Sequence, residues 1–80
     1  TEGFLYDHGY TDLNEILHNA LQRLPENQRT SILLRDYEGY SYREIGEITG
    51  MNEAQVKINI YRGRLALKNF IGKIETILES

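Results

Sequence analysis

Two capping boxes with a glycine turn between them fix the middle of this chain. Within SYREIGEITGMNEAQVKINIYRGR, from Ser41 to Arg64, Ser41 is followed three residues later by Glu44, and Asn52 by Gln55. In such a box the cap side chain accepts the N–H of the third residue, whose own side chain reaches back to the cap N–H. Each box therefore starts a helix. Gly50 supplies the left-handed residue that a short turn between them needs. Ile45 and Ile48 are expected to face inward from the first helix. Val56, Ile60, Gly63 and Leu67 are expected to form the inner stripe of the second. Gly46 is expected where the two helices come closest. Together they make a helix-turn-helix, the arrangement that presents its second helix to a DNA major groove. A plain αα-hairpin in a small bundle would carry the same spacing.

The flanking segments read as more helix. Residues 1–10 have no helical period and are expected to be a linker or a loosely docked arm, with Phe4, Leu5 and Tyr6 available for packing. The domain proper is expected over 11–80. Thr11 or Asp12 caps a first helix, with Leu13, Ile16, Leu17, Ala20, Leu21 and Leu24 on its inner stripe. Pro25 ends that helix and opens the next. The second helix is expected to run from about Glu26 to Glu38, with Ile32, Leu33 and Tyr37 inward and Leu34 partly covered. Gly39 ends it, and Tyr40 is placed as a hydrophobic staple. Beyond Arg64 the stripe continues through Phe70, Ile71, Ile74, Ile77 and Leu78. The last helix is therefore long, bending or ending near Gly72. The expected fold is all-α, a bundle of four or five helices with short connections.

Eighty residues are expected to make one domain, with no room for two cores. A chain this short buries only about 60% of its unfolded surface, so modest stability is expected. It has no cysteine, which suits a reducing, cytoplasmic setting. The longest purely aliphatic run is Ile32-Leu33-Leu34, so no membrane span is expected. No constellation supports catalysis: the serines have no His/Asp arrangement, and there is no glycine-rich phosphate loop. His18 lacks further ligands at metal-binding spacing, so neither metal nor cofactor is expected.

The net charge of −3 hides an uneven distribution. Residues 1–50 carry four Arg against nine Asp/Glu, or −5, and residues 51–80 carry five Lys/Arg against three Glu, or +2. Positive charge is gathered on the proposed recognition helix. With Val56 and Ile60 inward, steps of about 100° per residue place Lys57, Ile58, Tyr61 and Arg62 outward. Arg64 and Lys68 flank them. Arg62 or Lys57 suits guanine O6/N7, and Ile58 a thymine methyl. Tyr61 suits a base edge or a phosphate. Gln55 suits adenine or a phosphate, while Tyr42 and Arg43 on the preceding helix would lie over the DNA backbone. The alternative for Ile58, Tyr61 and Leu65 is packing against the tail or a protein partner.

The run LPENQRTSILLRDYEGYSYREIGEITGMNEAQVKINIYRGRLAL closely resembles region 4, the C-terminal DNA-binding domain of extracytoplasmic-function (ECF) sigma factors. The resemblance rests on Leu24, Pro25, Glu26 and Arg29; on Glu38, Gly39 and Ser41, with Tyr40 in place of the usual Leu; on Glu44, Ile45 and Gly46; and on Gln55, Val56 and Lys57 leading to Arg62, Gly63 and Arg64. It departs at Thr49, where Leu is usual, at Gln55, where Thr is usual, and at Ile58-Asn59, where Ser-Arg is usual. The resemblance implies a non-enzymatic transcription initiation domain that recognises the promoter −35 element. It also implies docking on the β flap of RNA polymerase and, in many cases, on an anti-sigma factor. A promoter-melting domain would then precede Thr1. Two other readings of the residues stay open. One is the output domain of a LuxR-type response regulator; the other is a module that binds only protein.

Overall fold

The structure is a computed structural model that describes the backbone of residues 13–79 and the side chains of residues 13–73. The expected arm, the Thr11/Asp12 cap and the side chains of Ile74, Ile77 and Leu78 lie outside the described residues. Among the described residues four helices follow in order: α1 (Leu13–Gln22), α2 (Glu26–Ile32), α3 (Tyr42–Thr49) and α4 (Glu53–Glu79). Leu33–Tyr37 continues α2 as a π-helical segment. No strand occurs among the described residues, so the all-α expectation holds.

α4 is the spine, and in place of the single core expected, two small ones are strung along it, because its length lets different helices pack at different points. Near its start, Val56 and Ile60 bury against Ile45 of α3, with Leu34, Tyr42 and Met51 around them. Farther along, Ala66 and Leu67 pack on a second core of Leu21, Leu24 and Ile32, joined by Leu33. The expected stripe Val56, Ile60, Gly63 and Leu67 is thus the seam that joins both. Burying an isoleucine is worth about 1.5–3 kcal/mol, so Ile32, Ile45 and Ile60, each at most 1% exposed, dominate the apolar gain. α4 shows no break at Gly72 and runs on to Glu79.

Local chemistry sets the helix ends. Ser41 Oγ accepts the Glu44 N–H (3.0 Å), and Glu44 Oε1 accepts the Ser41 N–H (2.8 Å). Asn52 and Gln55 repeat the exchange at 2.8 and 2.9 Å. Gly39 and Gly50 both have positive φ, 81° and 83°. A Cβ at Gly46 would stand 2.7 Å from the Met51 carbonyl oxygen in the turn and 4.0 Å from Val56 Cγ2 of α4, so the turn sets the tighter limit there. Thr49, in the place of a usual Leu, fastens the same turn. Its hydroxyl donates to the Ile45 carbonyl (2.7 Å) and accepts the Met51 N–H (3.3 Å). Pro25 stands one position before α2, where its carbonyl accepts the Arg29 N–H. The Arg29 guanidinium donates to the Leu24 carbonyl and closes the α1–α2 junction.

The backbone N–H of Ser41 holds the Glu44 carboxyl below its ordinary range, and the Ser41 side chain adds to this. A carboxylate with a depressed native pKa stabilises the fold above its unfolded pKa. That contribution disappears as pH falls through the lower native value. The stability advantage of the wild type over Glu44→Ala is therefore expected to be full above about pH 4.5 and to shrink on further acidification. Thermal unfolding of the two proteins across pH 2–7 checks this. An advantage independent of pH would place the stabilisation elsewhere.

Three inward assignments are corrected. Leu13 is 60% exposed, because the first turn of α1 extends past the cores that bury Ala20, Leu21 and Leu24. Ile48 is 56% exposed, because α3 meets its core through Ile45 and Tyr42 and Ile48 lies off that face. Tyr37 is 58% exposed. Here the π segment is the cause. The Glu38 N–H bonds to the Leu33 carbonyl five residues back, so the turn holds an extra residue and the α-helical phase that put Tyr37 inward is lost. Leu34 is half-buried as expected.

Candidate nucleic-acid interface

α4 offers solvent the face opposite its stripe. Lys57, Ile58, Tyr61, Arg62, Leu65 and Lys68 are all exposed there. Tyr61 is 63% exposed, Leu65 46% and Ile58 39%. Among the described residues no segment covers Lys57, Tyr61 or Arg62, and no acid pairs with Lys57, Arg62 or Lys68. Apolar atoms in the open between unpaired cations match a groove surface, where charges take phosphates and methyls meet base edges.

The remaining candidates are tied into the domain in different ways. The Tyr42 ring is half-buried in the α3–α4 core. The Arg35 guanidinium lies 4.8 Å from its centroid, and the Lys57 ammonium 5.7 Å away. Both cations are drawn to the ring's electron-rich π system. Arg35 is held further by its bond to the Tyr40 carbonyl (2.9 Å). Tyr42 therefore gathers two positive charges beside the start of α4. Arg43 makes an exposed i,i+4 pair with Glu47 at 3.6 Å, a contact of little energetic weight that leaves it available. Gln55 spends its carbonyl oxygen on the Asn52 cap, leaving its amide N–H groups free for an acceptor. Asn59 turns back to the Gln55 carbonyl at 2.8 Å.

Arg64 stands apart. Its guanidinium grips the Asp36 carboxylate in a two-point pair, Nε to Oδ2 at 3.1 Å and Nη2 to Oδ1. The bond to Asp36 pushes the Arg64 pKa up. Arg35 and Asp36 are the site residues that sequence reasoning missed. Both sit in the π segment; Asp36 pairs with Arg64, 28 residues away, while Arg35 reaches past the end of the helix to Tyr40 and Tyr42. The only local hint was a charged pair at the end of a helix. Among the described residues no cluster of His, Cys, Asp or Glu could hold a metal ion, and no helix is long and apolar enough to cross a membrane.

Comparison with known proteins gives the family. The family model for sigma-70 region 4 matches residues 14–67. The ECF RNA polymerase sigma factor SigE of Mycolicibacterium smegmatis is 40% identical over 57 residues, 71% of this chain and 22% of that protein. The ECF RNA polymerase sigma-E factor of Haemophilus influenzae is 36% identical over 61 residues, 76% and 32% of the two chains. RNA polymerase sigma factor SigV of Bacillus subtilis is 48% identical over 46 residues, 58% and 28%. The match therefore spans about a fifth to a third of each relative. No solved structure matches significantly. The chain belongs to the sigma-70 region 4 family, as the region 4 domain of a transcription initiation factor of the ECF type.

Proposed function

We propose that this domain recognises the promoter −35 element by laying α4 in the major groove, and that it docks on RNA polymerase through the β flap. Lys57, Ile58, Tyr61 and Arg62 meet base edges, while Gln55, Tyr42, Arg43 and Lys68 steady the duplex through its backbone. The domain works in the cytoplasm, where the promoter is. The supporting observation is the outward face of α4, where Lys57 and Arg62, with no acidic partner among the described residues, flank open Ile58 and Tyr61.

Titrating the chain against a promoter duplex over a range of salt tests this. About four phosphate contacts at about 0.9 each give an expected log–log slope near −3.6. Arg62→Ala is expected to cost about 1–3 kcal/mol on the preferred duplex and to relax preference at one base pair. If Arg62→Ala and Lys57→Ala both leave binding unchanged, the reading fails. A second reading uses the same face for an anti-sigma factor, favoured by Leu65, whose exposed side chain extends the apolar stripe. Mutually exclusive binding of duplex and anti-sigma factor would join the two readings. Anti-sigma binding without any DNA footprint would leave only the second.

A further inference from the structure

Lys57, Tyr61, Arg64 and Lys68 recur at i, i+4, i+7 and i+11, which sets them in one row along α4. At 1.5 Å per residue the row is about 16 Å long. Among the described residues neither end cation has a carboxylate partner, yet the middle one does. The Asp36 carboxylate takes the Nε–Nη2 edge of Arg64, the same edge by which guanidinium groups grip phosphates. The π segment that carries Asp36 departs from the α-helical course, and the pair stays partly open to water. The Arg64 side chain is 49% exposed and that of Asp36 34%.

We propose that Asp36 is a built-in stand-in for a DNA phosphate, which withholds Arg64 from the duplex and holds down the affinity of this domain. The proposal rests on α4 being the DNA-binding helix. A strand whose backbone Lys68 steadies passes Arg64, one turn earlier in the same row, whose fork is already filled. The Asp36 carboxylate then adds a like charge beside the strand. Removing that charge frees the fork for one more phosphate. Asp36 is thus a positioning residue that sets how many phosphates the row engages.

The test is duplex binding by fluorescence anisotropy across a salt series. It uses a short mixed-sequence duplex, since phosphate contacts do not depend on sequence. Wild type is compared with Asp36→Asn, Arg64→Gln and the double variant, each checked for helical content by circular dichroism. Asp36→Ser replaces Asp36→Asn if the latter does not fold. Asp36→Asn is expected to tighten binding about threefold to tenfold and to steepen the log–log slope by about 0.9, one added phosphate. Both gains are expected to vanish in the Arg64→Gln background. A gain that survives there, or arrives without the steeper slope, shows a long-range charge effect and overturns the proposal. Unchanged or weaker binding by Asp36→Asn, with wild type still salt-sensitive, overturns this proposal alone. No salt-sensitive binding by any of the proteins overturns the DNA-binding reading and this proposal with it.

Discussion

Ile45→Ala is expected to lower the stability of this domain by about 2–5 kcal/mol, while Ile48→Ala, three residues along the same helix, changes it by less than about 0.5 kcal/mol. Ile45 is fully buried among Val56 and Ile60, with Leu34, Tyr42 and Met51 packed around them. Truncating it loses the transfer energy of three carbons and leaves a cavity. The surrounding wall collapses poorly, because Val56 and Ile60 both belong to the rigid α4. Domains of this size have only a few kcal/mol in total, so the variant should be mostly unfolded at physiological temperature. Ile48 already stands more than half in water and has little burial to lose. Urea unfolding followed by circular dichroism measures both. Equal losses would mean that α3 packs through a different face.

That pair also shows what the amino-acid order conveys and what it does not. Ile45 and Ile48 have the same side chain and suitable helical spacing, and periodicity alone puts both inside. On a helix of eight residues the apolar arc is too short to fix its own centre, and the neighbour decides which isoleucine is covered. Features that act within four residues were legible. The Ser41–Glu44 and Asn52–Gln55 boxes and the left-handed Gly50 each depend on chemistry inside one turn. So was the inner stripe of α4, because its period persists from Val56 to Leu67. The outward face then followed by rotation, which is why Lys57, Ile58, Tyr61 and Arg62 emerge on one open surface.

The π segment was not legible. Leu33–Tyr37 has no Pro, Gly or other local breaker; its wider turn packs on α3 and reaches α4 through the Asp36–Arg64 pair. The loss of α-helical phase carried Tyr37 outward and set Arg35 against Tyr42 and Asp36 against Arg64. Thr49 stands where Leu is usual, and its hydroxyl substitutes a pair of hydrogen bonds for packing.

Gly63 is the junction between the two cores and tolerates no branched side chain. A Cβ there would stand 2.4 Å from Ile32 Cδ1, 3.3 Å from Ile32 Cγ1 and 3.4 Å from Gln28 Cβ. Ile32 is 1% exposed and packs with Leu21 and Leu24, so its terminal methyl has no open space to swing into. Gly63→Val is therefore expected to cost about 2–3 kcal/mol, the range of an overpacked core, despite the better helix propensity of valine. Gly63→Ala sets a propensity gain of about 1 kcal/mol against the same Cβ clash and should come out near neutral. Ile32→Val removes the Cδ1 methyl and alone costs about 0.5–1.5 kcal/mol. Joined with Gly63→Ala it becomes a nearly volume-conserving exchange, since the new methyl occupies the space the old one left. The double variant should then be at least as stable as the wild type, with a favourable coupling of about 1–2 kcal/mol in a double-mutant cycle. Additive losses in that cycle would show that α2 and α4 yield by sliding apart, and that the approach at Gly63 is not what sets their distance.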